Sequence, residues 1–146
     1  MKLKKQAHWI LVLSLSGPLL AGAADSNQPV AEGGIPHVSG GFGLEERQAL
    51  SDVSGDYNLK LVFAAKGSGA YIADVKLSIA DMKGQKILET ISNGPWFFAK
   101  LAPGRYKTTA EAAGQSQVQQ VTVGSGRLAQ LHFYWHMSDE MARDPN

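Results

Sequence analysis

The sequence contains no cysteine among its 146 residues, which excludes disulfide bonds and a thiol nucleophile. It has only four histidines and no Gly-x-Ser-x-Gly motif, the turn that presents a catalytic serine in α/β-hydrolases. We therefore predict that the chain is not an enzyme and has no catalytic residues. A small hydrolase would need histidine clustered with serine or aspartate, and it stays the weakest of the alternatives.

Patterns of metal ligands are also missing. His132 and His136 fall on a predicted strand, where a rise of about 3.3 Å per residue separates them by about 13 Å. That distance is too long for two ligands of one ion. The chain has no Asp-x-Asp-x-Asp run for calcium. We predict no metal and no cofactor.

The only long apolar run is at the N-terminus. Three lysines within the first five residues precede a twelve-residue apolar stretch, 9–20, and Ala21-Gly22-Ala23 follows. This order predicts a cleaved signal peptide over residues 1–23. The stretch is shorter than the about 20 residues that cross a bilayer, so we expect no stable membrane span after cleavage. No cysteine follows it, which excludes a lipoprotein, and we expect a periplasmic or secreted protein.

The mature chain carries no excess of positive charge. Cleavage after residue 23 removes three lysines and leaves 11 basic against 13 acidic residues, a net charge of −2. Nucleic acid binding requires clustered basic residues, so this function is excluded. A chain of about 120 residues can bury one hydrophobic core.

Three segments surround the predicted core. Residues 24–43 contain two prolines and five glycines and predict a flexible or loosely docked lead-in. Residues 44–54 predict a short helix that ends at Gly55 and packs on the domain 44–136 through the apolar residues Leu44, Ala49, Leu50 and Val53. Residues 137–146 form a polar tail.

From Tyr57 onward the apolar residues alternate with period two, which is typical of half-buried strands. Turn residues separate seven such strands and predict an antiparallel sandwich. Asp81 to Gly84 predicts a type I turn, Asn93-Gly94 a hairpin, and Pro103-Gly104 the centre of a type II turn. The predicted core aromatics are Phe63, Trp96, Phe98, Tyr106 and Phe133.

The segment 96–106 resembles a known family. Its pattern of Trp96, Phe98, Leu101, Pro103, Gly104 and Tyr106 is similar to that of the carboxypeptidase regulatory-like domain. The resemblance covers about Tyr57 to Trp135 and implies a seven-stranded antiparallel Greek-key β-sandwich of the prealbumin-like fold, here with one short N-terminal helix. Domains of that family are non-catalytic accessories of peptidases, transporters and surface proteins. The ends of the chain resemble those of small exported proteins of Gram-negative bacteria.

One group of residues suggests a binding surface. His132, Tyr134 and His136 occupy the phase of the last strand that faces away from the core. Such a stripe can contact a partner protein or a flat sugar ring, or it can be covered by the helix or the lead-in. We predict an accessory domain that binds an envelope protein. A carbohydrate-binding module that uses these three residues is the alternative.

Overall fold

The computed structural model describes residues 30–32 and 34–137, and strands make up most of these residues. The predicted signal peptide, the start of the lead-in and residues 138–146 lie outside the described residues. The elements are β1 (Val30–Glu32), β2 (Ile35–Gly40), α1 (Leu44–Val53), β3 (Leu59–Ala65), β4 (Val75–Asp81), β5 (Lys86–Ser92), β6 (Trp96–Ala99), β7 (Gly104–Ala112), β8 (Gln115–Val123) and β9 (Ala129–Trp135).

The strands form two sheets that share one hydrophobic core. The first sheet has the order β1-β2-β6-β3-β9 and the second β5-β4-β7-β8, so that apart from the three-residue β1 each sheet has four strands. Alternate side chains of both sheets meet between them, among them the fully buried Phe63, Phe133 and Val75. The arrangement is that of a two-layer sandwich, as the alternating pattern predicts.

The seven predicted strands correspond to β3–β9, but the count was too low. The lead-in, predicted to be flexible or loosely docked, contains β1 and β2. Strand β2 pairs with β6, Val38 opposite Phe98, and Val38 is buried. The backbone N–H of Lys100 also donates to the Pro36 carbonyl at 2.9 Å. The proline and glycine residues of this segment are typical of a loop, so its sequence does not predict a strand. The strand is stabilised instead by pairing with β6, which lies about 60 residues away in the sequence.

The prediction that all strands are antiparallel was wrong for one pair. Strands β3 and β9 are parallel over their full length, from Leu59 opposite Ala129 to Ala65 opposite Trp135. The reason is that β8 belongs to the second sheet and β9 to the first, so the chain changes sheets between them. Local turn residues do not specify which neighbour the strand then meets.

The predicted turns had mixed outcomes. At Asp81 the turn is confirmed: the Gly84 N–H donates to the Asp81 carbonyl at 3.1 Å, and Gly84 has a φ of +86°. The Asn93-Gly94 hairpin was wrong, because β5 and β6 lie in different sheets and Gly94 lacks a positive φ. Gly94 is instead a site of close approach, since a Cβ there would lie 2.6 Å from the Cα of Gly40. The type II turn at Pro103 was also wrong, because Gly104 begins β7 without a positive φ.

The aromatic residues of β6 do not face the sides of the sheet that were predicted, since Trp96 and Phe98 were expected in the shared core. Phe97 fills the shared core and stacks on the His37 ring at 5.6 Å. Trp96 and Phe98 point away from that core into a second cluster with Val38 and Leu50. A run of three aromatics in a short strand does not reveal its phase, which explains the error.

Helix α1 spans Leu44–Val53, as predicted, but its apolar stripe is mostly exposed. Leu50 is buried in the second cluster, whereas Leu44 is 76% exposed and Val53 39% exposed. The helix therefore rests on β2 and β6 through its middle, and its first turn projects into solvent. No helix in the described part of the chain is long and apolar enough to cross a membrane.

Candidate binding surface

The outer face of the first sheet carries the predicted site residues. We call outer the side that points away from the shared core, where β3, β6 and β9 place every second residue. Strand pairing arranges these residues in rows across the sheet, and the isolated bridge between Ala64 and Tyr71 extends one of them. The rows are Phe98–Lys60–Gln130, Trp96–Val62–His132 and Tyr71–Ala64–Tyr134.

Helix α1 covers one half of this face. Leu50 packs there with Val38 and Phe98. At the boundary of the covered half, Lys60 Nζ lies 3.7 Å from the centre of the Trp96 ring. Partial burial lowers the pKa of Lys60 from its ordinary value, while the aromatic ring attracts the ammonium group.

The other half of the face is open, and it contains two of the three predicted residues. His132 is exposed and Tyr134 is 49% exposed. Their rings stack with centroids 6.1 Å apart and planes 15° apart. Gln130 Nε2 lies 2.7 Å from His132 Nε2 and holds the imidazole from its other side. Neither the helix nor β2 covers the pair, since both lie at the β6 side of the sheet.

A groove adjoins these two rings. It has a volume of about 570 Å³, and its wall comprises Ala65, Lys66, Gly67, Gly69, Gln117, Gln119, His132 and Tyr134. His136 is exposed one residue beyond the end of β9, and it is not part of this wall. The structure thus brings His132 and Tyr134 together with residues of the β3–β4 turn and of β8, and leaves His136 outside.

Two glutamines of β8 shape the groove. Gln117 Nε2 donates to the Tyr134 carbonyl at 2.6 Å, and Gln119 Nε2 donates to the His132 carbonyl at 2.8 Å. These carbonyls lie at the edge of β9, so the amides satisfy an edge that would otherwise pair with another strand. Sequence reasoning missed both glutamines. The available signal was their position in phase with the buried Val121 and Val123 of the same strand.

A second exposed cluster surrounds Arg47, and we call its residues, Phe42, Leu44, Arg47 and Tyr71, the Arg47 patch. Arg47 Nη1 donates to the Phe42 carbonyl at 3.1 Å, and its guanidinium carbon lies 5.6 Å from the centre of the Tyr71 ring. Phe42 is 53% exposed and Tyr71 45% exposed. Leu44 lies one helical turn before Arg47, on the same side of α1.

Glu46 fixes the loop that carries Phe42. Its Oε2 accepts hydrogen bonds from the backbone N–H groups of Gly41 at 2.8 Å and of Phe42 at 3.2 Å. Arg47 Nη1 also donates to the Gly41 carbonyl, at 3.1 Å. The Phe42 side chain therefore projects from a loop that two side chains hold by hydrogen bonds.

The remaining candidates for chemistry lie apart from these surfaces. His37 is buried, with Nδ1 2.9 Å from the Ile35 carbonyl, although it lies in the segment 24–43 that was predicted to be flexible or loosely docked. Within residues 34–137, no three histidine or carboxylate side chains are grouped so that they could hold a metal ion.

A comparison with protein families finds a similarity over the second half of the chain. The model of the Rhizobiales growth-associated tandem repeat domain matches residues 56–133, which span β3 to β9 up to Phe133. The matched family is not the carboxypeptidase regulatory-like domain that the pattern of residues 96–106 predicted. None of the curated proteins compared with the chain matches it.

Proposed function

The chain belongs to the Rhizobiales growth-associated tandem repeat domain family, and we propose that it is a non-enzymatic accessory protein that binds a partner protein at the cell envelope. The Arg47 patch is the observation that supports this proposal best. Three exposed apolar side chains gather there around an arginine, and tyrosine and arginine are the residues enriched at the energetic centres of protein interfaces.

The geometry of the patch suits a protein ligand. Its loop is already held by Glu46 and Arg47, so binding costs little ordering of the backbone. Phe42 and Leu44 expose more than half of their surface, and burying each side chain contributes about 1.5–3 kcal/mol when it leaves water completely. The partner surface should therefore be apolar.

Co-purification from envelope fractions tests this proposal. The full chain should recover a partner, and the double variant Phe42→Ser/Leu44→Ser should lose it. The control is Ile91→Ser/Val118→Ser, because these side chains are 53% and 56% exposed on the other sheet. If both double variants recover the same partner, the patch is not the binding surface. If the unchanged chain recovers no partner, the protein-binding function itself is contradicted.

Carbohydrate binding is the second candidate function, and the groove at His132 and Tyr134 favours it. An exposed aromatic ring beside amide groups is a typical way to bind a sugar, since the ring contacts the C–H face and the amides contact hydroxyl groups. We retain His132 and Tyr134 as the residues of this function. His136 is not part of the groove wall and is dropped from the set.

We propose that the two sheets have the Greek-key topology of the prealbumin-like fold, that residues 1–23 are a signal peptide, and that the mature protein is periplasmic. N-terminal sequencing of the protein from a periplasmic fraction should give Ala24 as the first residue. Recovery of the chain with Met1 intact from the cytoplasmic fraction would contradict this location.

A further inference from the structure

We propose that the groove beside Tyr134 binds an acidic saccharide, one whose sugar units carry carboxylate groups. The inference rests on the carbohydrate-binding alternative above and specifies its ligand. It is independent of the Arg47 patch, which shares no residue with the groove wall.

The charge of the groove wall supports an anionic ligand. Of its eight residues, Lys66 is a cation. The wall contains no aspartate or glutamate among the residues that the structure describes. A carboxylate in the groove would therefore meet a cation without a competing acidic side chain, and the attraction would weaken as salt is added.

The polar groups of the wall suit the hydroxyl groups of a sugar. Gln117 and Gln119 each use one amide N–H to bind the edge of β9. No hydrogen bond of the described residues uses the Oε1 or the second N–H of either amide, so these groups can bind a ligand. The bonds to β9 also fix the orientation of both amides, so the ligand does not have to order them.

The shape of the groove suits a short oligosaccharide. Its volume of about 570 Å³ lies within the range of about 300–1,000 Å³ that is common for small-molecule sites. The Tyr134 ring stands at one side, stacked on His132, and its hydroxyl lies 3.4 Å from His132 Nδ1. Glycines 67 and 69 also line the groove, and the space around them is open, since a Cβ at either position would meet no atom within 4 Å beyond its chain neighbours.

Calorimetric titration of the full chain with trigalacturonate tests the proposal, because the methyl ester of the same trisaccharide provides a ligand of equal shape without the charge. We expect the free acid to bind and the ester to bind about two- to fivefold more weakly. Raising the salt concentration should weaken binding of the acid and leave binding of the ester unchanged.

Two variants locate the site. Tyr134→Ala should weaken binding of the acid by about tenfold or more, because it removes the aromatic contact. Lys66→Gln should weaken binding of the acid by about two- to fivefold and leave binding of the ester unchanged. Lys83→Gln is the matched control, since Lys83 is exposed in the Asp81 turn, outside the groove wall, and should change neither value.

Each contrary result has a separate meaning. If the ester or neutral chitotriose binds as tightly as the acid, the preference for an acidic sugar is overturned while carbohydrate binding stands. If no saccharide binds to the folded protein, both are overturned. If the acid binds equally to the unchanged chain and to both variants, the groove is not the site.

Discussion

Replacing Asn58 by alanine should destabilise the protein strongly, because this one side chain joins three loops. Asn58 Nδ2 donates to the Leu101 carbonyl at 2.6 Å and to the Gly124 carbonyl at 3.3 Å, and its Oδ1 accepts from the Leu101 N–H at 2.8 Å. The side chain thus ties the start of β3 to the β6–β7 and β8–β9 connections, where the chain passes between elements of the two sheets.

The magnitude follows from these contacts. Each of the two short hydrogen bonds contributes about 1 kcal/mol, and the long one contributes less. Leu101 is 3% exposed, so its N–H would lose its partner in a buried position, at a further cost of about 1 kcal/mol or more. We expect the free energy of unfolding to fall by about 2–4 kcal/mol for Asn58→Ala.

Urea denaturation of the full chain, followed by circular dichroism, measures this loss. At a slope near 2 kcal/mol per molar urea, the midpoint should fall by about 1–2 M with the slope unchanged. The control is Asn93→Ala, because Asn93 is exposed and enters the described hydrogen bonds through its backbone alone. The control should change stability by less than about 0.5 kcal/mol. Equal midpoints for the two variants would refute the role given to Asn58.

Three further predictions use the same denaturation measurement. Thr108→Val should raise stability by about 1 kcal/mol, because the fully buried Thr108 hydroxyl has no hydrogen-bond partner among the described residues; a loss of stability would show that the hydroxyl is bonded. Leu50→Ala should lower the free energy of unfolding by about 2–3 kcal/mol and release α1, because the helix rests on the sheet through this residue. An unchanged rate of amide hydrogen exchange in residues 44–53 would contradict the release of the helix. Lys60→Met should stabilise the protein most at neutral pH, because burial lowers the pKa of Lys60 in the folded state. Between the folded pKa and the unfolded pKa of about 10.4, the unfolded state binds more protons than the folded state, so the stability of the unchanged chain rises with pH. The stability advantage of the variant over the unchanged chain should therefore shrink over that pH window. An advantage that grows with pH would contradict this assignment.

Local patterns predicted most of the strands. The alternation of Leu59, Leu61 and Phe63 and that of Val75, Leu77 and Ile79 identify buried faces, and these residues are buried in the shared core. The helix and the Asp81 turn were also predicted, because a short helix and a tight turn depend on neighbouring residues. Strand β2 was missed, since its stability comes from pairing with the distant β6.

The site was predicted in part for a similar reason. Exposure of His132 and Tyr134 follows from the phase of β9, and the phase can be read from the sequence. Lys66 and Gln117 could not be assigned to the site, because they come from a turn and from the other sheet. Their approach depends on the crossing from β8 to β9 and on the parallel pairing of β9 with β3.

The most direct test of the account is an NMR titration of the isotopically labelled full chain with trigalacturonate. The side-chain amide signals of Gln117 and Gln119 and the backbone signals of 66–69 should shift together, while those of Phe42 and Leu44 stay in place. Shifts confined to the Arg47 patch, or shifts distributed evenly over both sheets, would contradict a ligand groove at the edge of β9.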